Sequence, residues 1–445
     1  MKMFTNQSIK RVSTKFKKNF STYFLHGTDS RQLPYHMQNQ LITLMNYTDP
    51  NSASFLIYNS HEAQRKLKNW KSSLPWIQPY YAIKSNPIKP LLEDLHLLGA
   101  SFDCASKNEI KLAFEMGALK ENIVYSNSVK EVSSLKYAHK NKVYLTTADT
   151  FDELEKIKEV APNMKVLWRI SIKEDSSEEL ATVFSNKFGD DLYSVEEAEE
   201  KFKQIRNMGI KLEGIHFHCG SGKNGSVSFK KAIKTAQVCM EIGRNFGHRM
   251  EILDLGGGYP AGDLNTSIES ALDLTRPEYN TLGYRVIAEP GRHFSSNTCY
   301  LATKIIGKRI KDGRLCYHIN DSLYHSFNCM LMDGVSFENS DDQFYSAIDE
   351  RGKRIGLNGD NFTDGSIFGM TCDGRDIIAT NMALPKNMNV GDWLIFGGMG
   401  SYTVGPKSSF NGMVATQKII RWIAPIENSD QQQSGIFLDT QKKFP

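Results

Sequence analysis

No stretch of 18 apolar residues occurs anywhere in the 445-residue chain, so the sequence offers no helix that would cross a bilayer. Disulfide and zinc signals are missing as well. The seven cysteines, Cys104, Cys219, Cys239, Cys299, Cys316, Cys329 and Cys372, stand singly and never form a C-x-x-C pair. That pattern argues against a disulfide framework or a zinc knuckle, names no metal, and points to a reducing, cytoplasmic compartment. Acid is absent from residues 1–28, which carry Lys2, Lys10, Arg11, Lys15, Lys17 and Lys18. Taking those six charges from the net +4 leaves the rest of the chain at −2, a mildly acidic body that gives no reason to invoke a nucleic-acid partner. What is there, 40% hydrophobic and 23% charged residues, is the composition of a globular protein long enough for two domains or for one barrel with an appendage.

The basic leader, residues 1–29, has more than one reading. Ile9, Val12, Phe16, Phe20 and Phe24 fall on one helical face, opposite the basic residues. Such a start fits a mitochondrial presequence, which would move the protein from cytoplasm to mitochondrion, or a segment lying on a membrane surface. Only one of the six basic residues is arginine, which favours a frayed basic arm instead. At the other end, residues 427–445 form a polar tail with Gln431, Gln432 and Gln433 in a row, expected to be disordered or loosely attached.

From about residue 77 short β-rich runs alternate with amphipathic helical stretches. The runs are Ile77 to Lys84, Ser101 to Ala105, Asn122 to Ser126, Val143 to Thr147, Lys165 to Ile170, Leu212 to His218, Met250 to Leu255 and Tyr284 to Ala288. Eight such units predict a closed, TIM-like (β/α)8 barrel over residues 55–295 rather than an open doubly wound sheet. After Arg292 the rhythm changes. Tyr300 to Lys308, Leu315 to Ile319, Arg375 to Ala379 and Trp393 to Phe396 are strand-like and separated by turn-rich loops, so an all-β sandwich domain is expected from residues 30–54 together with 296–426.

The chemistry gathers at the ends of the barrel strands, where loops converge in such a fold. Tyr80, Tyr81 and Ile83 run into Lys84, within PYYAIKSNP. An ammonium buried there is costly, so either Lys84 snorkels to water, or it is desolvated to lose its proton easily and attack an aldehyde as a Schiff-base lysine. Asp103 lies in the second run, Arg169 ends the fifth, His218 and Ser221 end the sixth, and Glu289 and Arg292 follow the eighth. Gly256, Gly257 and Gly258 after the seventh run make either a tight turn or a backbone cradle for a phosphate, with Arg292 adding a charged fork. Glu289 can pair with Arg292 or with a protonated ring nitrogen; His218 can be a core histidine or stack on a flat ring. A phosphate site, a Schiff-base lysine, a carboxylate for a pyridinium nitrogen and a stacking imidazole together describe pyridoxal phosphate.

PYYAIKSN, FDCASKNEI, HFHCGSG, LDLGGGYP, AEPGR, TCDG and MGSYT, in this order and spacing, resemble the pyridoxal-phosphate amino-acid decarboxylases of alanine-racemase-like fold, and within them the eukaryotic ornithine decarboxylases. The resemblance covers about residues 50–425 and implies a barrel followed by a β-sandwich, in a head-to-tail homodimer with active sites at the interface. It implies decarboxylation of L-ornithine to putrescine, the first step of polyamine biosynthesis. Lys84 then matches the lysine bound to the cofactor aldehyde, His218 the ring-stacking residue and Glu289 the partner of the ring nitrogen. Ser221, Gly258, Gly291, Arg292 and Tyr402 match cofactor contacts, chiefly to the phosphate. Cys372 matches the thiol that protonates the carbanion, supplied with Asp373 by the partner subunit; Asp333 matches the acceptor of the substrate's distal amine. Asp103, Glu109, Arg169 and Lys187 match positions that support the site or the dimer. Lys120, Lys130, Lys136, Lys140 and Lys142 form a basic stretch in a region that relatives use to bind an antizyme, or a solvated helix face.

The chain departs from the pattern at three places. Met332 replaces a tyrosine beside Asp333, Met370 replaces a proline before TCDG, and Ser85 replaces a cysteine after the lysine. The two methionines bear on substrate choice, because a flexible thioether opens room for a longer side chain such as lysine. A related lysine or arginine decarboxylase, or a non-catalytic protein of the antizyme-inhibitor kind, are the alternatives; the second is disfavoured because the whole chemical set is retained.

Overall fold

The structure, a computed structural model, describes residues 53–172, 180–182, 187–192, 194–222, 226–264, 266–337, 345–349, 362–413, 418–423 and 436–439. The basic leader, residues 30–52 and most of the polar tail lie outside these residues. Within them, Asn59–Thr298 with Gly400–Gly405 makes one compact unit, and a second unit takes its residues from Met1–Tyr58, Cys299–Met399 and Pro406–Pro445.

Eight parallel strands close the first unit into a barrel in chain order: Ile77–Ala82, Ser101–Cys104, Ile123–Tyr125, Leu145–Ala148, Lys165–Arg169, Gly214–His216, Ile252–Asp254 and Arg285–Ala288. Tyr80, Val124, Leu145, Leu167, Ile252 and Ile287, one from each of six strands, form a buried cluster. Each contributes roughly 1.5–3 kcal/mol by leaving water, and together they make the barrel a packed core rather than a pore. Helices return the chain between strands, and four helices of the unit begin with the same local device. Asn59, Ser106, Thr150 and Ser194 each accept the backbone N–H of a glutamate three residues on, Glu62, Glu109, Glu153 and Glu197. A cap of this kind is worth about 1 kcal/mol and fixes where the helix starts, which keeps the loops on the strand ends short.

The second unit is built around Cys299–Lys311, a strand of 13 residues. Its first part pairs antiparallel with Phe55–Asn59 on one side and Trp393–Phe396 on the other; its second part pairs with Arg314–Ile319, after a register shift between Ile305 and Gly307. Arg314–Ile319 continues to Phe362–Phe368 and Ile377–Pro385, and Trp393–Phe396 takes Tyr345–Ile348. Phe55, Ile57, Tyr300, Ala302, Ile348, Trp393, Ile395, Ile420 and Trp422 form its core cluster. Positions two apart recur there because alternate residues of a strand share a face.

Four segments fall differently from the sequence expectation, the shortest being Ser296–Thr298, assigned to the sandwich but part of the barrel unit. Phe55–Tyr58, assigned to the barrel, belongs to the sheet unit because it pairs with Cys299–Ala302. Gly400–Gly405, assigned to the sandwich, belongs to the barrel unit, where Gly400 N donates to Ser296 O at 2.9 Å. Ile436–Asp439, assigned to a loosely attached tail, is a strand paired with Ile420–Ile423, since IFLD supplies a strand-forming run inside an otherwise polar segment. Among the described residues no helix is long and apolar enough to cross a membrane.

Candidate active site

The first barrel strand stops at Ala82, and a single turn, Ile83–Ser85, carries Lys84 beyond it. Lys84 Nζ lies 3.8 Å from Oδ2 of Asp103, and 45% of the lysine side chain is exposed. Burial opposes its charge, but the field of Asp103, then of Tyr402 and Glu289, outweighs that penalty and holds the ammonium above its ordinary pKa. The field of these groups favours the charged lysine over the easily deprotonated one, which was one of the two readings the sequence left open. The lysine neither lies in an apolar strand nor merely snorkels; it sits among carboxyl groups.

Glu289 follows the eighth strand and is pinned by its own backbone, whose N–H donates to Gly256 O at 2.7 Å. Its carboxylate pairs with His216 Nε2 at 3.2 Å. Burial alone would push the group up; the charge and hydrogen bond of His216, with Lys84, bring it down to about 2. Asp254, at the end of the seventh strand, accepts the Gly256 N–H at 2.9 Å through Oδ1. Burial, then the Glu289 charge, pushes Asp254 well up, and Asp103 is raised by the same two causes. Glu289 Oε1, Asp254 Oδ2 and Asp103 Oδ1 are buried polar atoms with no hydrogen-bond partner. Such atoms demand an occupant or a function.

The glycine run that follows the seventh strand carries no side chains. Gly258 has φ +106°, and a Cβ on it would lie 2.5 Å from Gly220 O; one on Gly257 would meet His218 Nε2 at 2.7 Å. His218 Nδ1 accepts the Gly220 N–H at 3.0 Å, which fixes the tautomer with hydrogen on Nε2, and burial holds the ring neutral by lowering its pKa well below the usual value. Ser221 begins the short strand Ser221–Gly222, paired with Leu180–Thr182. Arg169 lays its guanidinium 4.8 Å from the centre of the Phe188 ring, which Lys187 also approaches at 4.9 Å. Glu109 turns out to serve the backbone, accepting the Ala105 N–H at 2.6 Å.

Gly291 and Arg292 open the short helix Arg292–Ser295. Tyr402, held at φ +52°, donates its backbone N–H to Ser85 O at 2.8 Å. A row of hydroxyls joins these segments: Ser85 Oγ lies 2.8 Å from Ser295 Oγ, which lies 2.9 Å from Ser401 Oγ and donates to Gly291 O at 3.2 Å. The barrel therefore brings Lys84, Asp103, Arg169, His218, Gly258, Glu289, Gly291, Arg292 and Tyr402 into one unit. His216, Asp254, Ser295 and Ser401 were not foreseen. The alternation HFH signalled His216, since a residue two before a strand-end histidine shares its face.

Asp333, Met332, Cys372 and Asp373 belong to the sheet unit. Asp333 is buried and caps the short helix Cys329–Met332, whose last residue is 52% exposed. Cys372 is the exposed cysteine of the seven, its Sγ 3.4 Å from Asn411 Oδ1. Asp373 is not a bare acid: hydrogen bonds from Arg375, at 2.9 Å, and from the Tyr324 hydroxyl keep it well below the carboxylate range. Of the basic stretch, Lys130 is buried against Glu153 at 3.0 Å and so drops out of any surface patch, whereas Lys120, Lys136, Lys140 and Lys142 are exposed.

The carboxylate that stays charged, the lysine within its field, the neutral imidazole and the side-chain-free cradle define an enzyme site of the pyridoxal-phosphate type. The orphaned oxygens and the space denied to any Cβ at Gly257 fit that cofactor. The family described as pyridoxal-dependent decarboxylase, pyridoxal binding domain, matches residues 60–296. Ornithine decarboxylase of Schizosaccharomyces pombe is 35% identical over 378 residues, 83% of this chain and 83% of that protein. Antizyme inhibitor 2 of Xenopus laevis is 33% identical over 403 residues, 84% of this chain and 82% of that protein. The arginine decarboxylase of Paramecium bursaria Chlorella virus superposes with a TM-score of 0.77 at 28% identity, covering 86% of this chain and 100% of its own. The chain belongs to the ornithine decarboxylase-type pyridoxal-phosphate decarboxylases, and pyridoxal phosphate is its cofactor.

Proposed function

We propose that the protein decarboxylates L-ornithine to putrescine and CO2. The observation that supports the reading is the pairing of Glu289 with His216 at 3.2 Å in the same unit as Lys84, in a chain 35% identical to an ornithine decarboxylase. When bound, pyridoxal phosphate supplies an aldehyde for the substrate amine and a cationic ring that takes up the electrons left by departing CO2. Glu289 keeps a negative charge where that ring needs one, because a carboxylate favours the protonated form of a neighbouring nitrogen. Lys84 would hold the cofactor through its amine, which must yield its proton against the field of the neighbouring carboxyl groups. His218 presents a neutral imidazole face, and Gly257, Gly258, Arg292 and Tyr402 receive the phosphate. Cys372 delivers a proton to the substrate α-carbon. Asp333 and Asp373 receive the distal amine, with Cys372 and Asp373 contributed by the partner subunit of a homodimer.

A preference for lysine or arginine is the second reading, supported by the exposed Met332 at the position beside Asp333 and by the likeness to the viral arginine decarboxylase. The deciding experiment is CO2 release from carboxyl-labelled ornithine, lysine and arginine by protein supplied with pyridoxal phosphate. Ornithine far ahead supports the proposal. Another amino acid ahead moves specificity onto Met332 and Met370; no release from any of the three, with cofactor bound, favours a non-catalytic role of the antizyme-inhibitor kind.

A further inference from the structure

The glycine loop continues through Tyr259 and Pro260 into Ala261–Asp263, and this outer limb crosses space that the barrel does not fill: a Cβ added at Gly262 meets nothing within 4 Å. It is held instead by the helix Ser60–Ser73 of the same unit. Lys66 on that helix has 1% of its side chain exposed; its Nζ donates to Ala261 O at 2.9 Å and lies 3.3 Å from Asp263 Oδ1. Arg65, paired with Glu62 at 2.8 Å, reaches the same Asp263 oxygen at 3.3 Å. Around this anchor, His293 Nδ1 donates to Pro260 O at 3.0 Å, and Trp70 packs edge-on against Tyr259 with centroids 5.0 Å apart.

An ammonium at that depth costs several kcal/mol to desolvate, and filling the space alone would need only an apolar side chain. Burial indeed lowers the Lys66 pKa, with Asp263 and Glu62 opposing. What the charge adds is a directed donor for the one carbonyl of the outer limb that it reaches. The inner limb runs close to its neighbours: a Cβ on Gly257 would lie 2.7 Å from His218 Nε2 and one on Gly258 2.5 Å from Gly220 O, so the position of this backbone matters. We infer that Lys66 is a positioning residue for the phosphate end of the cofactor: by tying Ala261 and Asp263 to the helix Ser60–Ser73 it sets the Gly257–Gly258 backbone, without itself touching the cofactor. The inference rests on pyridoxal phosphate as cofactor and is independent of which amino acid is decarboxylated.

The test compares pyridoxal 5'-phosphate with pyridoxal, which lacks the phosphate, in titrations of cofactor-stripped full-length protein followed by absorbance. Lys66→Met should weaken pyridoxal 5'-phosphate by about tenfold, the loss of one charged hydrogen bond, and leave pyridoxal binding unchanged. Lys66→Arg, which keeps a donor, should recover most of the loss. Equal weakening of both ligands by Lys66→Met, or no weakening of either, overturns the assignment. If Lys66→Met does not fold, Asp263→Asn carries the same comparison from the exposed end of the anchor. A roughly two- to threefold loss confined to the phosphorylated ligand supports the role, and unchanged or equally weakened binding of both overturns it.

Discussion

The two units solve the same problem, burying β-strands, in opposite ways. Each barrel strand pairs with the strand before and after it in the sequence, and the pairing closes when the eighth meets the first. In the sheet unit, Phe55 sits opposite Ala302 and Leu315 opposite Gly365, so its order comes from distant parts of the chain. The consequence for chemistry is a division of labour. The repeated architecture brings the groups proposed for the cofactor to the ends of several strands, with Glu289, Gly291 and Arg292 sharing the eighth; the sheet unit carries the groups proposed to meet the substrate, Asp333, Cys372 and Asp373, outside its strands.

Mutants can break or sharpen that division. The largest effect belongs to Lys84→Ala, which should lower steady-state CO2 release by about a thousandfold or more while the far-ultraviolet circular dichroism stays unchanged. Appreciable turnover by this variant would place the covalent chemistry elsewhere. Cys372→Ala should behave differently in kind: substrate is still consumed, but a larger share leaves as aldehyde instead of diamine, as product analysis would reveal. Mixed with Lys84→Ala chains under verified subunit exchange, it should restore up to about a quarter of wild-type activity, since one of two sites in each hybrid dimer is intact. No recovery would count against a shared site.

Smaller effects probe stability. Phe55→Ala removes a ring buried edge-on against Trp393, with centroids 5.4 Å apart, and should cost about 3–5 kcal/mol in the denaturant midpoint of the sheet unit. The same change should leave cofactor affinity alone if the units are as separate in energy as in topology. The last effect is graded by pH. Burial, with the nearby Lys66 charge, lowers the His293 pKa from 6.5 to about 3. Between those values the unfolded chain binds the proton and the native one does not, so this stabilising term is present above pH 6.5 and is lost as pH falls toward 3. His293→Gln should flatten the fall in thermal midpoint over that window; an unchanged slope would assign the acid sensitivity to other groups.

The barrel was legible because its signals are local. β-rich runs recur at short intervals, and candidate functional residues sit where runs end. The strand Phe55–Asn59 was not read, since its pairing partner lies far along the chain; Phe362–Phe368 and Ile436–Asp439 were not read although Ile377–Pro385 and Ile420–Ile423 pair with them from nearby. Lys84, Glu289 and the glycines could be picked out as residue types that cost something where they stand. His216 and Asp254 could not be weighted in the same way, because their meaning is mutual: each is an ordinary buried polar residue until Glu289 lies beside it. Arg375 illustrates the same limit, as the sequence TCDGRD does not reveal that its guanidinium folds back on Asp373.

The hydroxyl row Ser85–Ser295–Ser401 has a directional consequence. Ser295 has one proton and gives it to Gly291 O, so Ser85 and Ser401 must both point theirs at Ser295. Only one arrangement of hydrogens satisfies all three. The turn bearing Lys84, the segment bearing Arg292 and the loop bearing Tyr402 are thereby tied to a common hub, which sets the spacing between the residues proposed to hold the two ends of the cofactor.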